Sequence, residues 1–154
     1  MCSFGTDEYI ARVVKSYADS MLRASYSVLK STDDAEDAVQ EAFLRLMQKK
    51  PQFKNEEHEK AWLLRVTINI SKNALKSATR KNLPVTEEIP FSDENSELLS
   101  VVLSLPERYR TVIYLYYFEG YSIKEIAAVL KIPAATVGTR LARARNLLKG
   151  EIAQ

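Results

Sequence analysis

Cysteine is nearly missing from this chain of 154 residues: Cys2 is the only one. An intramolecular disulfide is therefore impossible, and a cysteine-ligated zinc site is excluded. Histidine is equally scarce, with His58 alone. A two-histidine metal site is thereby excluded, and no Ser/His/Asp triad or Cys/His pair is expected. Glycine occurs 4 times and proline 5 times, below the average usage of roughly 7% and 5%. So little punctuation favours long helices over a turn-rich β fold. No apolar run reaches the roughly 18–20 residues of a membrane span; the longest candidate, residues 112–118, is far too short. The opening MCSFGTDEYIARVV lacks a basic start followed by an apolar stretch, so it does not read as a secretory signal. The expectation is a cytoplasmic protein without membrane insertion.

What is present is globular: 46% hydrophobic and 27% charged residues exclude disorder of the whole chain. The net charge of +2 hides a strong segregation. Residues 33–41 carry five acids and no base, and residues 61–81 five bases and no acid. Residues 82–105 return to five acids without a base, and residues 131–150 hold five bases without an acid. Solvated helix faces usually mix both signs. Two basic blocks parted by an acidic one instead suggest two surfaces for a polyanion.

Periodicity predicts helices in both halves. A first helix starts at Thr6–Glu8 and repeats Ile10, Val13, Val14, Tyr17 and Met21 on one face. A second starts near Thr32–Asp34, buries Ala35, Ala38, Val39, Ala42, Phe43, Leu46 and Met47, and stops at Pro51. Residues 52–59 read as a polar loop, followed by a third helix over 60–80 with Leu64, Ile68 and Leu75 inward. Residues 82–95 (NLPVTEEIPFSDEN) have two prolines, no apolar repeat and only acidic charge, as a flexible linker does. Fully extended at ~3.3 Å per residue, such a segment would span about 45 Å. A short helix over 96–103 follows, then one opened by Pro106, with Tyr109, Val112, Ile113 and Tyr116 inward and Gly120 as terminator. Ser122-Ile-Lys-Glu125 forms a capping box for a helix burying Ile123, Ile126, Ala127 and Leu130. Lys131-Ile-Pro133 breaks it, and the last helix, 134–149, turns Val137, Leu141, Ala144 and Leu148 inward. The fold class expected is all-α: two small helical domains, 1–81 and 96–154, joined by the linker 82–95.

The last two helices, separated by about three residues, have the spacing of a helix-turn-helix. Small Ala127 lets them approach, and Thr136, Thr139, Arg140 and Arg143 lie opposite the apolar stripe of the second. Its N-terminal end suits a major groove, with Arg143, Arg145 and Lys149 set for phosphates. In the first half, Trp62, Arg65, Asn69, Lys72, Asn73 and Lys76 share one side of the third helix. An aromatic ring, amides and cations together suit opened or single-stranded DNA, whose unstacked bases need flat and hydrogen-bonding partners. A core role for Trp62 competes with that reading on equal terms.

Taken together, these segments resemble a bacterial RNA polymerase sigma factor of the extracytoplasmic-function (ECF) subfamily. The resemblance rests on Asp34-Ala-Glu-Asp-Ala-Val-Gln-Glu-Ala-Phe-Leu-Arg-Leu46 and Ala61-Trp-Leu-Leu-Arg-Val-Thr-Ile-Asn69 in the first half. In the second it rests on Leu105-Pro-Glu-Arg-Tyr-Arg110, Gly120-Tyr-Ser-Ile-Lys-Glu-Ile-Ala127 and Thr136-Val-Gly-Thr-Arg-Leu-Ala-Arg-Ala-Arg145. It implies that Asp34, Asp37, Gln40, Glu41 and Leu44 dock on a coiled coil of the polymerase β′ subunit. It implies further that the loop 53–59 and the helix after it open the −10 element and capture a flipped base, with Phe53, Asn69, Lys72, Asn73 and Lys76 as contacts. For the last helix it implies −35 reading by Pro133, Ala135, Thr136, Gly138, Thr139, Ala142 and Arg143, with Arg140, Arg145 and Lys149 on phosphates. The implied partners are core RNA polymerase, through β′ and β, promoter DNA and an anti-sigma factor. Enzymatic activity, cofactors and metals are not implied. Three features depart from the family pattern. Gly138 stands where many relatives carry a long, often basic side chain, Ala142 is small, and the loop Lys54-Asn-Glu-Glu-His-Glu59 is unusually acidic.

Two motifs mislead. Asp33-Asp34-Ala-Glu-Asp37 matches the DDxxD of diphosphate–magnesium sites, but no second metal motif accompanies it, and acids at a helix start commonly serve the dipole. His58-Glu59 begins HExxH, yet position 62 is Trp. The competing functional readings are a polymerase-independent helix-turn-helix regulator and an adaptor that binds polymerase without opening DNA.

Overall fold

The computed structural model describes residues 7–80 and 101–153. The linker 82–95, the helix start at Thr6 and most of the short helix predicted over 96–103 lie outside the described residues. Among the described residues there are only helices, turns and loops.

Three helices build the first half. Helix α1 (Asp7–Leu29) packs against both α2 (Thr32–Lys49) and α3 (Glu56–Arg80), which also pack on each other. Ser31 caps α2, its side chain accepting from the Asp34 N–H, and Asp33 and Asp34 face the positive end of the dipole. Small polar residues let α1 and α3 come close: Ser25 and Ser71 hydroxyls, both buried, meet at 2.6 Å. Helix α3 starts at Glu56, inside the segment expected to be loop. Asn55 nucleates it by accepting the His58 N–H on its side chain and the Glu59 N–H on its carbonyl. Glu56, Glu57 and Glu59 fill a first turn that favours acids.

Residues 101–103 are helical, and Pro106 precedes α4 (Glu107–Ile113). This helix widens into a π-turn, Tyr114–Phe118, closed by the Glu119 N–H on the Tyr114 carbonyl and ended by Gly120 at φ +74°. Helices α5 (Ile123–Leu130) and α6 (Ala134–Ala153) complete the second half. The capping box forms as expected, Ser122 and Glu125 satisfying each other's backbone N–H. Lys131, at φ +57°, makes the turn into Ile132 and Pro133.

One apolar core runs through both halves. Val13, Met21, Leu46, Leu63, Leu64 and Ile68 belong to the same cluster as Val112, Leu115, Ile126, Val137 and Leu141. Leu103 packs beside Tyr26 and Ala35 of the first half in a smaller cluster. Each such side chain is worth about 1.5–3 kcal/mol when fully buried. Three residues expected inward are instead exposed: Val14, Met47 and Ile123. Val14 and Met47 each follow directly on a buried position, Val13 and Leu46. A turn of about 100° per residue carries them out of the stripe. Ile123 sits in the first turn of α5, at the rim, while Val129 takes the inward place.

Polar contacts also join the halves. Arg110, buried, donates to the Ser27 carbonyl at 2.6 Å, to Val28 at 2.8 Å and to Leu105 at 2.6 Å. Ser27 and Val28 lie in the last turn of α1, whose carbonyls have no helical partner. Lys60 pairs with Glu119 at 2.8 Å, and the Tyr114 hydroxyl contacts the Ser20 carbonyl at 3.1 Å and the Glu119 carboxylate.

Candidate nucleic-acid interface

On α2, Asp34, Asp37, Gln40, Glu41 and Leu44 follow one another at helical spacing and are all exposed, opposite buried Ala35, Ala38, Val39, Ala42 and Leu46. Leu44 is 52% exposed, an apolar side chain at the C-terminal end of an acidic stripe. Glu41 pairs with Arg45 at 3.3 Å, a surface bond of little energetic weight. The stripe is a ready face for a partner that presents cations around an apolar site.

The second face begins at Phe53. Its ring meets His58 edge-on at 5.4 Å and Trp62 at 5.8 Å, so the three aromatics form one surface cluster. Phe53 and Trp62 are half-buried and pack against the core, so Trp62 is partly a core residue and partly surface. Asn69, Asn73 and Lys76 are exposed further along α3. Lys72 is half-buried and lies 4.0 Å from Glu107 of the second half. The same side of α3 borders a cleft of about 470 Å³, with Lys60, Trp62 and Arg65 on one wall and Tyr121, Glu125 and Val129 on the other. Two of its cations therefore face carboxylates of the opposite half. Burial alone would push the Glu119 carboxyl up, but Lys60 and hydrogen bonds from Tyr114 and Ser20 outweigh it and hold the group below its usual range. Burial, with Glu119 and Glu125 nearby, pushes the Tyr121 phenol up to about 12, so it remains a donor.

The third face is α6. Val137, Leu141 and Ala144 are buried against α4 and α5, which fixes its rotation. Pro133, Ala135, Thr139, Ala142, Arg143 and Lys149 are then exposed, and Thr136, Gly138 and Arg140 partly so. A Cβ built on Gly138 meets nothing within 4 Å. Arg145 is engaged elsewhere: its Nε donates to the Tyr117 hydroxyl at 2.7 Å, and its guanidinium lies 5.3 Å from the Tyr116 ring centre. Arg145 thus stands apart from exposed Arg143 and Lys149, although Arg143 reaches the Tyr109 hydroxyl and helps hold that phenol below its usual range.

Sequence reasoning missed four polar groups that set this geometry: Glu59, Lys60, Arg110 and Glu119. Glu59, 1% exposed, accepts from Tyr9 at 2.7 Å, from Tyr17 at 3.0 Å and from Arg12 at 3.0 and 3.1 Å. Tyr9, Arg12 and Tyr17 lie within eight residues of one another on α1, which was the available signal for a buried acid.

One acidic face and two base-bearing faces on a helical scaffold, the last of them a helix-turn-helix, define a DNA-binding transcription protein. Residues 13–81 match the family described as Sigma-70 region 2, and residues 95–148 match Sigma-70, region 4. The chain is 32% identical to the ECF RNA polymerase sigma-E factor of Haemophilus influenzae, over 79% of this chain and 76% of that one. It is 27% identical to the ECF RNA polymerase sigma factor SigW of Bacillus subtilis, over 96% and 91%. In fold it is similar to the sigma factor RpoE of Bartonella quintana, solved with the anti-sigma factor NepR (TM-score 0.77, 19% identity, 96% and 98% covered). It is also similar to CnrH in complex with the cytosolic domain of CnrY (TM-score 0.70, 24% identity, 97% and 90% covered). The chain belongs to the ECF subfamily of sigma-70 RNA polymerase sigma factors. It is a transcription initiation factor that binds core RNA polymerase and confers promoter specificity. Among the described residues no helix is long and apolar enough to cross a membrane.

Proposed function

We propose that the work is divided between residues 1–81 and 96–154, with 82–95 as the connection. The exposed stripe Asp34, Asp37, Gln40, Glu41 and Leu44 docks on the β′ subunit, and the β subunit supplies the rest of the core contact. Phe53, Asn69, Lys72, Asn73 and Lys76 take up the −10 element as it opens, in the cytoplasm. Pro133, Ala135, Thr136, Gly138, Thr139, Ala142 and Arg143 read the −35 duplex, and Arg140 and Lys149 hold its phosphates. Arg145 joins them only by leaving Tyr117. The protein carries no chemistry of its own; polymerase does. The sigma factor of similar fold solved with the anti-sigma factor NepR supports an anti-sigma partner here as well.

The observation that carries this reading is the rotation of α6. Burial of Val137, Leu141 and Ala144 leaves an acid-free outer face from residue 131 to 150, and such a face binds phosphate-rich duplex. The test is core RNA polymerase incubated with the chain and a pooled promoter library, followed by sequencing of transcripts. Starts that share a pair of upstream elements support the division. Asp37→Arg should then weaken co-elution with core while the circular dichroism spectrum stays unchanged; undiminished co-elution removes the α2 stripe from the interface.

A further inference from the structure

The loop between α2 and α3 owes its shape to one side chain at the start of α3. His58 holds each of the three residues that precede Glu56. Its Nδ1 accepts the Lys54 N–H at 3.1 Å, its own N–H donates to the Asn55 side chain at 2.8 Å, and its ring packs on Phe53. Phe53 in turn lies against Trp62. An accepting Nδ1 places the ring proton of a neutral imidazole on Nε2. Directly behind, Glu59 is locked to Tyr9, Arg12 and Tyr17 of α1, so the root of the loop is fixed to the three-helix core. A rigid root with a histidine clasp at its tip is an arrangement in which Phe53 is positioned before any ligand arrives.

We propose that His58 is a positioning residue for promoter opening, holding Phe53 and the backbone of residues 53–55 in the form that receives an unstacked base. This rests on the reading that the loop 53–59 meets the opened strand. An aromatic platform whose backbone is already ordered does not pay that ordering cost when the base binds. Glu56 and Glu57, in the first turn of α3, repel phosphates and oppose the pull of Lys54, so the net electrostatic hold next to Phe53 is weak. Geometry has to supply what charge does not. His58 is exposed, so replacing it leaves the core intact.

Two substitutions separate its functions. His58→Asn keeps an acceptor at the Nδ1 position and removes the ring; His58→Phe keeps a ring and removes the acceptor. The full-length variants are assembled with core polymerase on a promoter selected by the wild-type chain, with 2-aminopurine in the −10 element reporting opening. Amide exchange at Lys54 is measured on the free proteins, and Phe53→Ala serves as control. The expected result is that both variants bind core and −35 duplex like wild type but open the promoter at least tenfold more slowly. Lys54 exchange should rise in His58→Phe and stay protected in His58→Asn, and His58→Ala should open more slowly than either. If Phe53→Ala is defective while both His58 variants open at the wild-type rate, the positioning role is wrong and the assignment of the loop stands. If Phe53→Ala itself opens normally, the assignment of the loop falls, and this inference with it.

Discussion

The guanidinium of Arg110 caps a helix to which it does not belong: it donates to the carbonyls of Ser27 and Val28, the open end of α1, across 83 and 82 residues of sequence. Burial pulls the arginine's pKa down, with Glu107 and Tyr26 acting the other way. Its hydrogen bonds go to carbonyl oxygens at the negative end of a helix dipole, which favours the charged form.

Arg110→Ala should therefore destabilise the protein on the order of 3 kcal/mol, because it removes a charged donor and leaves buried carbonyls unmet. Urea denaturation measures this. A midpoint within error of wild type would mean that water replaces the guanidinium without loss.

Acid should part the halves. Glu119 has its pKa held below the usual value in the folded form, so its contribution is complete above the unfolded pKa of about 4.3. That contribution drains away as pH falls through the folded value. Distance measurements between labels on α3 and α5 should lengthen on acidification, and Glu119→Gln should lose that response. A pH response equally strong in Glu119→Gln would place the titrating group elsewhere.

Gly138 sits inside α6 with open space where a Cβ would go. Gly138→Ala should raise stability by roughly 0.5–1 kcal/mol, the helix-interior difference between the two residues. Thermal melts decide this, and a lower melting temperature would show that the position is not helical in the free protein.

Arg143 and Arg145 should behave differently on duplex −35 DNA. Arg143→Ala is expected to reduce the slope of log affinity against log salt by about one. Arg145→Ala should change it less, because the side chain is committed to Tyr117 and Tyr116. Equal changes in slope would indicate that Arg145 releases those rings on binding.

Much of this was legible because caps and periodicity are local. Ser122 and Glu125, Pro51 and Pro106, and the stripes of α2 and α6 each announce themselves within a turn or two. The start of α3 was not legible, since Glu56, Glu57 and His58 look like loop until Asn55 is seen to cap them. The joining of the halves by Arg110, and by Lys60 with Glu119, was beyond reach for another reason. A long-range polar contact leaves no period in sequence, and a single cation in a motif looks the same whether it faces water or a helix end. The three faces could be listed from the residues, but which of their side chains are already engaged, as Lys72 and Arg145 are, depends on the tertiary packing.

The corners of the fold add a last point. Lys30, Lys50 and Lys131 all take positive φ (56°, 47° and 57°), and each closes a helix by donating its N–H to a carbonyl of the last turn. Glycine adopts that conformation without strain, whereas a residue with a Cβ gives up about 1–2 kcal/mol. A cation at a helix C-terminus returns about 0.3–1 kcal/mol, and ions in solution weaken that return. A chain so poor in glycine has thus made its turns partly electrostatic, and the tightness of its bends becomes a property of the surrounding electrolyte as well as of the polypeptide.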